Sequence, residues 1–254
     1  MHRILPVHVS IIPLHMEKDV NTNDDLAELV LSSIKDQKQK LHDSDILVIA
    51  QKIVSKAEGR LVSLNSVRPS KRACSIATKQ DKDPRVVELI LRESKQIVKI
   101  ERGIIIVETK HGLVCANAGV DQSNISGDFA SLLPSNPDRS AAKIRTKIKK
   151  QTGKEVAVII TDTFGRPFRE GQVNVAIGVS GLKPITDYRG LKDIFGKKLK
   201  VTEIAVADEI ASAAELVMGK LELIPVVIIR GLRYKNKQGS AKDLIRKRKN
   251  DLFR

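Results

Sequence analysis

Two apolar runs that each end at an aspartate are the sequence feature that most constrains the fold. The first lies in ETKHGLVCANAGVDQSN and reaches Asp121, and the second lies in VAVIITDTFGR and reaches Asp162. Four to eight apolar residues bounded by Gly, Asn, Asp and Thr are typical of a buried strand that opens into a loop. Because such loops present reactive groups on a rigid scaffold, we expect both aspartates to stand on loops at strand ends.

The residues near these aspartates favour a site for a divalent metal that handles phosphate. Thr163, Asn124 and Arg166 lie close to Asp121 or Asp162 in sequence. Hard oxygen ligands suit Mg²⁺ or Mn²⁺, and Mg²⁺ usually binds through one or two carboxylates together with substrate phosphates. An Asp-Thr pair after a strand also caps helices and closes turns, and separation in sequence does not say whether two aspartates meet. The sequence leaves both interpretations open.

The bulk composition predicts an aliphatic, soluble protein with an anionic partner. The 254 residues allow one large domain or two modest ones. Aromatic residues make up 3% and Trp is absent, so platforms on which single-stranded nucleic acid stacks are poorly supplied. The net charge of +15 is concentrated in Lys143 to Lys154 and Tyr234 to Arg254. These stretches indicate either a surface that attracts anions or solvated basic faces.

Cysteine usage and hydropathy point to the cytoplasm. The two cysteines, Cys74 and Cys115, give neither a disulfide framework nor a metal-binding spacing. No stretch reaches the roughly 18 consecutive apolar residues of a membrane span. The N-terminal MHRILPVHVSIIPL is too interrupted by His and Pro for a signal peptide. We therefore expect a cytoplasmic location.

Local patterns predict a mixture of strands and helices. Asn23 is expected to cap a first helix, Asp83-Pro84 to start another, and Gly219 to end a long one. The stretch 65–83 is polar and interrupted by Pro69, and no helix is predicted there. Further helices are expected over 138–150 and 201–217, and strands over 3–14, 46–50, 61–64, 97–109 (as a hairpin), 113–116, 156–160, 173–180 and 224–229.

Common catalytic fingerprints are absent. The sequence holds no G-x-G-x-x-G, no G-x-x-x-x-G-K-[ST], no G-x-S-x-G and no zinc spacing. Lys52 and Lys56 follow a predicted buried strand and could reach phosphates, although lysines at a surface give the same pattern. Among the histidines only the position of His111, between two predicted strands near the acidic loop, draws interest.

Four long runs together resemble the coenzyme F-420:L-glutamate ligase family, the γ-glutamyl ligases of deazaflavin biosynthesis. They are DILVIAQKIVSKAEGR, RGIIIVETKHGLVCANAGVDQSN, ITDTFGRPFREGQVNVAIGVSG and VADEIASAAELVMGK, and the similarity extends over about residues 5 to 233. The resemblance implies an unusual two-part α+β fold with mixed and antiparallel sheets and flanking helices. It further implies a ligase domain over 1–233, built of two intertwined subdomains, followed by a basic tail over 234–254.

The implied activity is a GTP-dependent ligation. GTP would phosphorylate a carboxylate of the deazaflavin phosphodiester substrate, and the amine of L-glutamate would displace phosphate from the acyl phosphate. A second glutamate would follow through a γ-linkage. The resemblance implies a requirement for Mg²⁺ or Mn²⁺, assistance by K⁺, and a homodimer with no membrane partner.

Site residues carried over from the resemblance agree with those chosen from the residues themselves. Asp121 and Asp162 would be the catalytic metal ligands, with Thr163 at a second metal. A phosphoryl-transfer site needs charge neutralisation and positioning more than a nucleophilic side chain. The implied nucleotide-binding residues are Ile12, Pro13, Leu14, His15, Gln51, Lys52, Lys56, Asn124, Met218, Gly219 and Lys220.

This sequence departs from the family pattern at two points. Lys220 stands where many relatives carry Gln or Glu, and a protonated lysine has no lone pair to offer a metal. It is expected either to remove a ligand or to meet a phosphate. The segment LELIP lacks the usual Gly before Ile-Pro, so the loop around the base is expected to differ.

Alternative functions remain open from sequence. Arg166, Arg169 and Arg189 are candidates for binding the phosphate and carboxylates of the deazaflavin, with structural salt bridges as the other explanation. A ligase of the same fold with a different acid or amine substrate would look the same at this level. A basic nucleic-acid-binding protein would instead use the stretch Lys143 to Lys154 and the tail, and it would not need Asp121 or Asp162.

Overall fold

The computed structural model describes residues 8–251 as a mixed α+β protein. Its strands are β1 (Ser10–Leu14), β2 (Ile46–Ala50), β3 (Leu61–Ser63), β4 (Ser94–Glu101), β5 (Ile104–Thr109), β6 (Val114–Ala116), β7 (Phe129–Ser131), β8 (Ala157–Arg166), β9 (Arg169–Ser180), β10 (Thr186–Asp187), β11 (Glu203–Ile204) and β12 (Val226–Arg230). Its α-helices are α1 (Leu26–Asp36), α2 (Gln51–Ala57), α3 (Lys71–Gln80), α4 (Pro84–Glu93), α5 (Pro137–Thr152) and α6 (Val206–Met218).

A five-stranded sheet forms the centre, in the order β1-β12-β2-β8-β9. The β2–β8 pair is parallel and the other three pairs are antiparallel. Strand β2 is apolar throughout because both of its faces are covered. Leu47 and Ile49 join one hydrophobic cluster with α1 and α5, and Ile46 and Val48 join another with α6. The predicted α+β class with mixed and antiparallel sheets is confirmed.

A third hydrophobic cluster lies away from this sheet. Helices α3 and α4 pack with the three-stranded antiparallel sheet β4-β5-β6, and Leu64, Ile90 and Ile105 are fully buried there. Two further antiparallel pairs, β3–β7 and β10–β11, complete the strands. The predicted hairpin around Gly103 and the helix start at Asp83-Pro84 are both confirmed.

Three expectations about helices were wrong. Asp25, not Asn23, caps α1, because its carboxylate accepts a hydrogen bond from the N–H of Ala27, and Asn23 adopts the left-handed conformation. The polar stretch 65–83 contains α3, whose cap is the Ser70 side chain. Helix α6 begins at Val206 rather than Val201, because residues 203–204 form a strand instead.

The described part of the basic tail folds back onto the central sheet. Ala241 is buried in the cluster that contains α6. The Ser240 hydroxyl donates to a carboxylate oxygen of Asp138 at 2.5 Å, at the start of α5. The domain boundary at residue 233 stays a prediction. Within residues 8–251, none of the helices has the length and apolar character needed to cross a membrane.

Candidate functional site

A cavity of about 880 Å³ opens at the edge of the central sheet where β2, β8 and β12 meet flanking segments. Asp121 and Asp162 both line this cavity, although they are 41 positions apart in the sequence. The complete lining comprises residues 16–20, 50–53, 56, 116, 121, 123, 124, 161–163, 172, 174, 215, 218–221 and 223–225.

Helix α2 supplies two lysines to this cavity. Strand β2 runs directly into α2 at Gln51, and Lys52 and Lys56 stand four residues apart on one helix face. The Lys52 ammonium lies 2.5 Å from a carboxylate oxygen of Asp121 and 2.6 Å from the carbonyl oxygen of Ser123. Lys56 pairs with Asp19 at 2.5 Å. The cavity therefore holds two lysine ammonium groups, each already paired with a carboxylate.

Asp121 is already partnered. Its backbone makes two hydrogen bonds with Ser131, and its carboxylate accepts from the N–H and the hydroxyl of Ser123 as well as from Lys52. Burial raises the pKa of Asp121, but the hydrogen bonds from Lys52 and Ser123 outweigh it and the net pKa lies below the usual value. Asp121 is therefore ionised at neutral pH.

Asp162 lies inside β8 and not in a loop, so that expectation was wrong. Strand β8 continues to Arg166 because it pairs with β9 along its whole length, with a register irregularity between Ile160 and Thr161. Burial raises the pKa of Asp162 to about 6, and the charge on Asp121 acts in the same direction. The Thr163 N–H, Lys52 and Lys220 oppose that rise. Asp162 therefore carries a poorly compensated negative charge at neutral pH.

A polar chain extends from Thr163 across the cavity wall. The Thr163 hydroxyl donates to the amide oxygen of Asn174 at 2.7 Å, and Asn174 is buried. The Lys220 ammonium donates to the Thr163 hydroxyl oxygen at 2.7 Å and lies 3.1 Å from a carboxylate oxygen of Glu215. The other Glu215 oxygen is buried and has no hydrogen-bond partner among the residues that the structure describes.

The donor set fits a hard divalent cation. Two carboxylates, Asp121 and Asp162, and the Thr163 hydroxyl face one cavity, and oxygen ligands of this kind suit Mg²⁺ or Mn²⁺. Among residues 8–251 no group of three or more His, Cys, Asp or Glu side chains could hold a metal by itself. Such a cation would need ligands from substrate or water, as Mg²⁺ at phosphate sites does.

Most of the nucleotide-binding candidates line the cavity. Those that do are Gln51, Lys52, Lys56, Asn124, Met218, Gly219 and Lys220. Ile12, Pro13, Leu14 and His15 stand outside the lining. The first three belong to β1, which pairs with β12, and residues 16–20 after the strand reach the cavity instead. Asn124 also ties two walls together, because its side-chain amide donates to the carbonyl oxygen of Lys220.

The other candidates lie outside the cavity lining. Arg189 is engaged by Asp187 at 2.7 Å and Glu203 at 3.0 Å, as the salt-bridge interpretation expected. The Arg166 side chain donates to the carbonyl oxygen of Glu170 across the β8–β9 turn, and Arg169 is exposed. His111 contacts the carbonyl oxygens of Pro134 and Ser135.

Sequence reasoning missed Asp19, Ser123, Asn174 and Glu215. Two of these carried a usable signal. Asn174 is a polar residue within the alternating strand VNVAIGVS, and Glu215 is an acid in the last turn of α6, where the helix dipole disfavours negative charge. Residues that break a local rule often mark functional sites.

Comparison with known proteins identifies the family of this chain. A family model described as F420-0:Gamma-glutamyl ligase matches residues 16–231. The Coenzyme F420:L-glutamate ligase of Methanothermobacter thermautotrophicus is 48% identical over 249 residues, which cover 97% of this chain and 99% of that protein. The protein of the same name from Methanocaldococcus jannaschii is 54% identical over 215 residues, covering 84% and 86% respectively. The counterpart from Archaeoglobus fulgidus is 41% identical over 249 residues, covering 98% and 97%. This chain belongs to the F420-0:gamma-glutamyl ligase family.

Proposed function

We propose that this protein is a GTP-dependent ligase that adds L-glutamate to the deazaflavin precursor of coenzyme F420 through an acyl phosphate. The family and its named relatives support the glutamate and deazaflavin substrates. The observation that carries the phosphoryl-transfer step is the shared cavity, in which two lysines of α2 face two aspartates. Phosphoryl transfer needs this kind of positioning and charge neutralisation.

The reaction would have two steps, in which the lysines and the aspartates of the cavity have different roles. The γ-phosphoryl group passes from GTP to a substrate carboxylate oxygen, giving GDP and an acyl phosphate, and the glutamate amine then displaces inorganic phosphate and loses a proton. Lys52 and Lys56 bind and orient the phosphates as point charges. Asp121 and Asp162 would hold Mg²⁺ or Mn²⁺, which when bound would neutralise charge on the transferred group.

The basic stretch from Lys143 to Lys154, in α5 and just after it, favours this function over nucleic-acid binding. Lys147 pairs with Asp25, Lys149 with Glu155, and Lys154 with Asp43. These ion pairs reduce the charge that the stretch offers to a polyanion, since nucleic-acid affinity scales with the number of free cationic contacts. The lysines of the cavity are ion-paired as well, but they line one concave site together with Asp121 and Asp162.

We also propose that the protein forms a homodimer. The segment between β10 and β11 exposes five large hydrophobic side chains, and Ile194 and Phe195 are 92% and 88% exposed. The others are Tyr188, Leu191 and Val201. Apolar groups clustered on one exposed segment indicate a protein interface. An Ile194→Ser/Phe195→Ser variant should sediment as a monomer with an unchanged circular dichroism spectrum, and a dimeric variant would refute this surface.

The ligase proposal is tested with purified protein, GTP, Mg²⁺ or Mn²⁺, L-glutamate and the glutamate-free deazaflavin, with products followed by mass. Glutamate-dependent mass steps that match GDP release are the expected result. With hydroxylamine in place of glutamate, the acyl phosphate should be trapped as a hydroxamate. ATP in place of GTP tests the nucleotide, and Na⁺ in place of K⁺ tests the monovalent cation.

Asp162→Asn is the inactive variant in this experiment, and Asp81→Asn is its matched control. Asp81 is exposed and adopts the left-handed conformation at the end of α3, which Asn tolerates well. GTP turnover without a mass step would leave the site but exclude this acceptor. No GTP binding at all would refute the nucleotide assignment.

A further inference from the structure

Lys220 places a positive charge at the position where a second metal ligand was expected. Its ammonium lies 2.7 Å from the Thr163 hydroxyl oxygen, which is the donor assigned to a second metal. That distance is an ordinary hydrogen bond from a charged donor. The ammonium thus already uses the Thr163 oxygen as a cation would.

The orientation of the Thr163 hydroxyl is fixed by a neighbour. Because the hydroxyl proton points to the Asn174 amide oxygen at 2.7 Å, the oxygen lone pairs are left for a cation. Asn174 is buried in β9, and the hydroxyl of Ser212 donates to its backbone carbonyl oxygen. The strand and α6 therefore hold Thr163 as an acceptor toward Lys220.

Glu215 anchors the ammonium independently of the aspartates. It stands in the last turn of α6 and pairs with Lys220 at 3.1 Å, while its second oxygen is buried and has no hydrogen-bond partner within residues 8–251. Gly219, between them, adopts φ 55 and ψ −160, which lets the chain leave the helix and turn Lys220 back toward the cavity. The carbonyl oxygen of Lys220 accepts from Asn124, which fixes the loop from the other side.

Lys52 differs from Lys220 in this respect. The carboxylate that holds Lys52 is Asp121, which is itself a proposed metal ligand. A divalent cation at Asp121 would compete with Lys52 and release it toward phosphate. Lys220 keeps Glu215 as its counter-ion whether or not the aspartates bind a metal, so a metal there would not displace the Lys220 ammonium.

We propose that the Lys220 ammonium supplies the second positive charge of this site, so that the chain binds one divalent cation where a two-metal site binds two. The inference rests on the proposed ligase function and its metal site. Two-metal phosphoryl-transfer sites clamp the reacting oxygens with a pair of cations about 3.5–4 Å apart. Here Lys220, positioned by Glu215 and Asn174, would act as one member of that pair.

The test counts Mn²⁺ bound per chain by electron paramagnetic resonance, with Mn²⁺ alone and then with a non-hydrolysable GTP analogue. The wild type should bind one Mn²⁺ fewer than Lys220→Gln in the same conditions, because glutamine removes the charge and offers an oxygen. In Lys220→Gln the two ions should broaden each other's spectra through spin coupling. Lys220→Met removes the charge without adding a donor and should show no such coupling. Lys79→Gln, on the exposed face of α3, is the charge-matched control.

Each outcome decides the inference. Equal Mn²⁺ counts in wild type and a folded Lys220→Gln would overturn it. If the counts stay equal while the analogue binds more weakly to Lys220→Gln, Lys220 contacts phosphate and the inference also fails, although the ligase function stands. A folded wild type that binds no Mn²⁺ would overturn the proposed metal site and this inference with it.

Discussion

Asp121 and Asp162 line the same cavity, yet the protein surrounds them in opposite ways. Asp121 sits on a loop, receives hydrogen bonds from Lys52 and Ser123, and has a lowered pKa. Asp162 sits inside β8, and its pKa is raised to about 6, chiefly by burial. Lys52 supplies Asp121 with a compensating positive charge, whereas Asp162 forms no ion pair within residues 8–251. That asymmetry indicates that a cation contributes most at Asp162.

Replacing either carboxylate is expected to have its largest effect on turnover. Asp162→Asn should lower GTP-dependent ligation by on the order of 100- to 1,000-fold, since removing one preorganised electrostatic group from a transition state has this size of effect. Asp121→Asn should also lower turnover, but Lys52 remains nearby to bind phosphate. Steady-state GDP release with Asp81→Asn as control measures both. We expect the larger loss of turnover in Asp162→Asn, and a smaller loss there than in Asp121→Asn would contradict this prediction.

The next effect concerns the affinity for metal as a function of pH. A cation binds the ionised carboxylate, and the pKa of Asp162 is about 6 without metal. At pH 5 roughly one molecule in ten is ionised at this position, so Mn²⁺ should bind about tenfold more weakly at pH 5 than at pH 7.5. Asp121 is ionised throughout this range and adds no pH dependence. Titration calorimetry of the wild type in the two buffers makes the measurement, and a pH-independent affinity would contradict the assignment.

The same burial should make Asp162 unfavourable for folding when no metal is present. Its folded-state pKa lies above the ordinary value of 3.8, so the folded state takes up the proton first and stability falls as pH rises from about 4 to about 6. Asp162→Asn removes this charge and should raise the free energy of unfolding by about 1–3 kcal/mol at pH 8 in the presence of a chelator. At pH 4 the difference should shrink toward zero. Urea unfolding at both pH values checks the sign.

Much of the fold follows from the sequence because its signals are local. Strand β2 was predicted because five apolar residues in a row must be covered on both faces, and α4 because Asp83-Pro84 is a strong helix start. Helix α3 was missed since its composition is polar and only Ala73 and Ala77 are buried. Its stability comes from packing against α4 in the third cluster, which no local pattern shows.

The residues of the site also fall into two groups, those that a local sequence pattern predicts and those that only tertiary packing brings together. Asp121, Asp162, Lys52 and Lys56 could be proposed because each follows a recognisable strand, but their convergence depends on how β8 pairs in parallel with β2. The chain of contacts from Asn174 through Thr163 to Lys220 and Glu215 joins β8, β9 and α6. Thr163 and Lys220, which are 57 positions apart, meet there through tertiary packing. A sequence pattern identifies such residues only where, as at Glu215, they break a local preference.

The smallest predicted effect is on the free energy of unfolding of an Asp121 variant, and its sign is opposite to that expected for Asp162→Asn. Asp121→Asn removes the carboxylate that holds Lys52 at 2.5 Å and should lower the free energy of unfolding by about 0.5–1 kcal/mol at pH 8, since Asp121 is 42% exposed and water screens the pair. The Lys52→Met/Asp121→Asn double variant should recover part of this loss, because no lysine is left without its partner. Under the chelator conditions used for Asp162→Asn, the two single variants should therefore shift the urea midpoint in opposite directions. Shifts in the same direction would show that the two carboxylates share one environment, and the distinction between a carboxylate supplied with its cation and one that lacks it would fail.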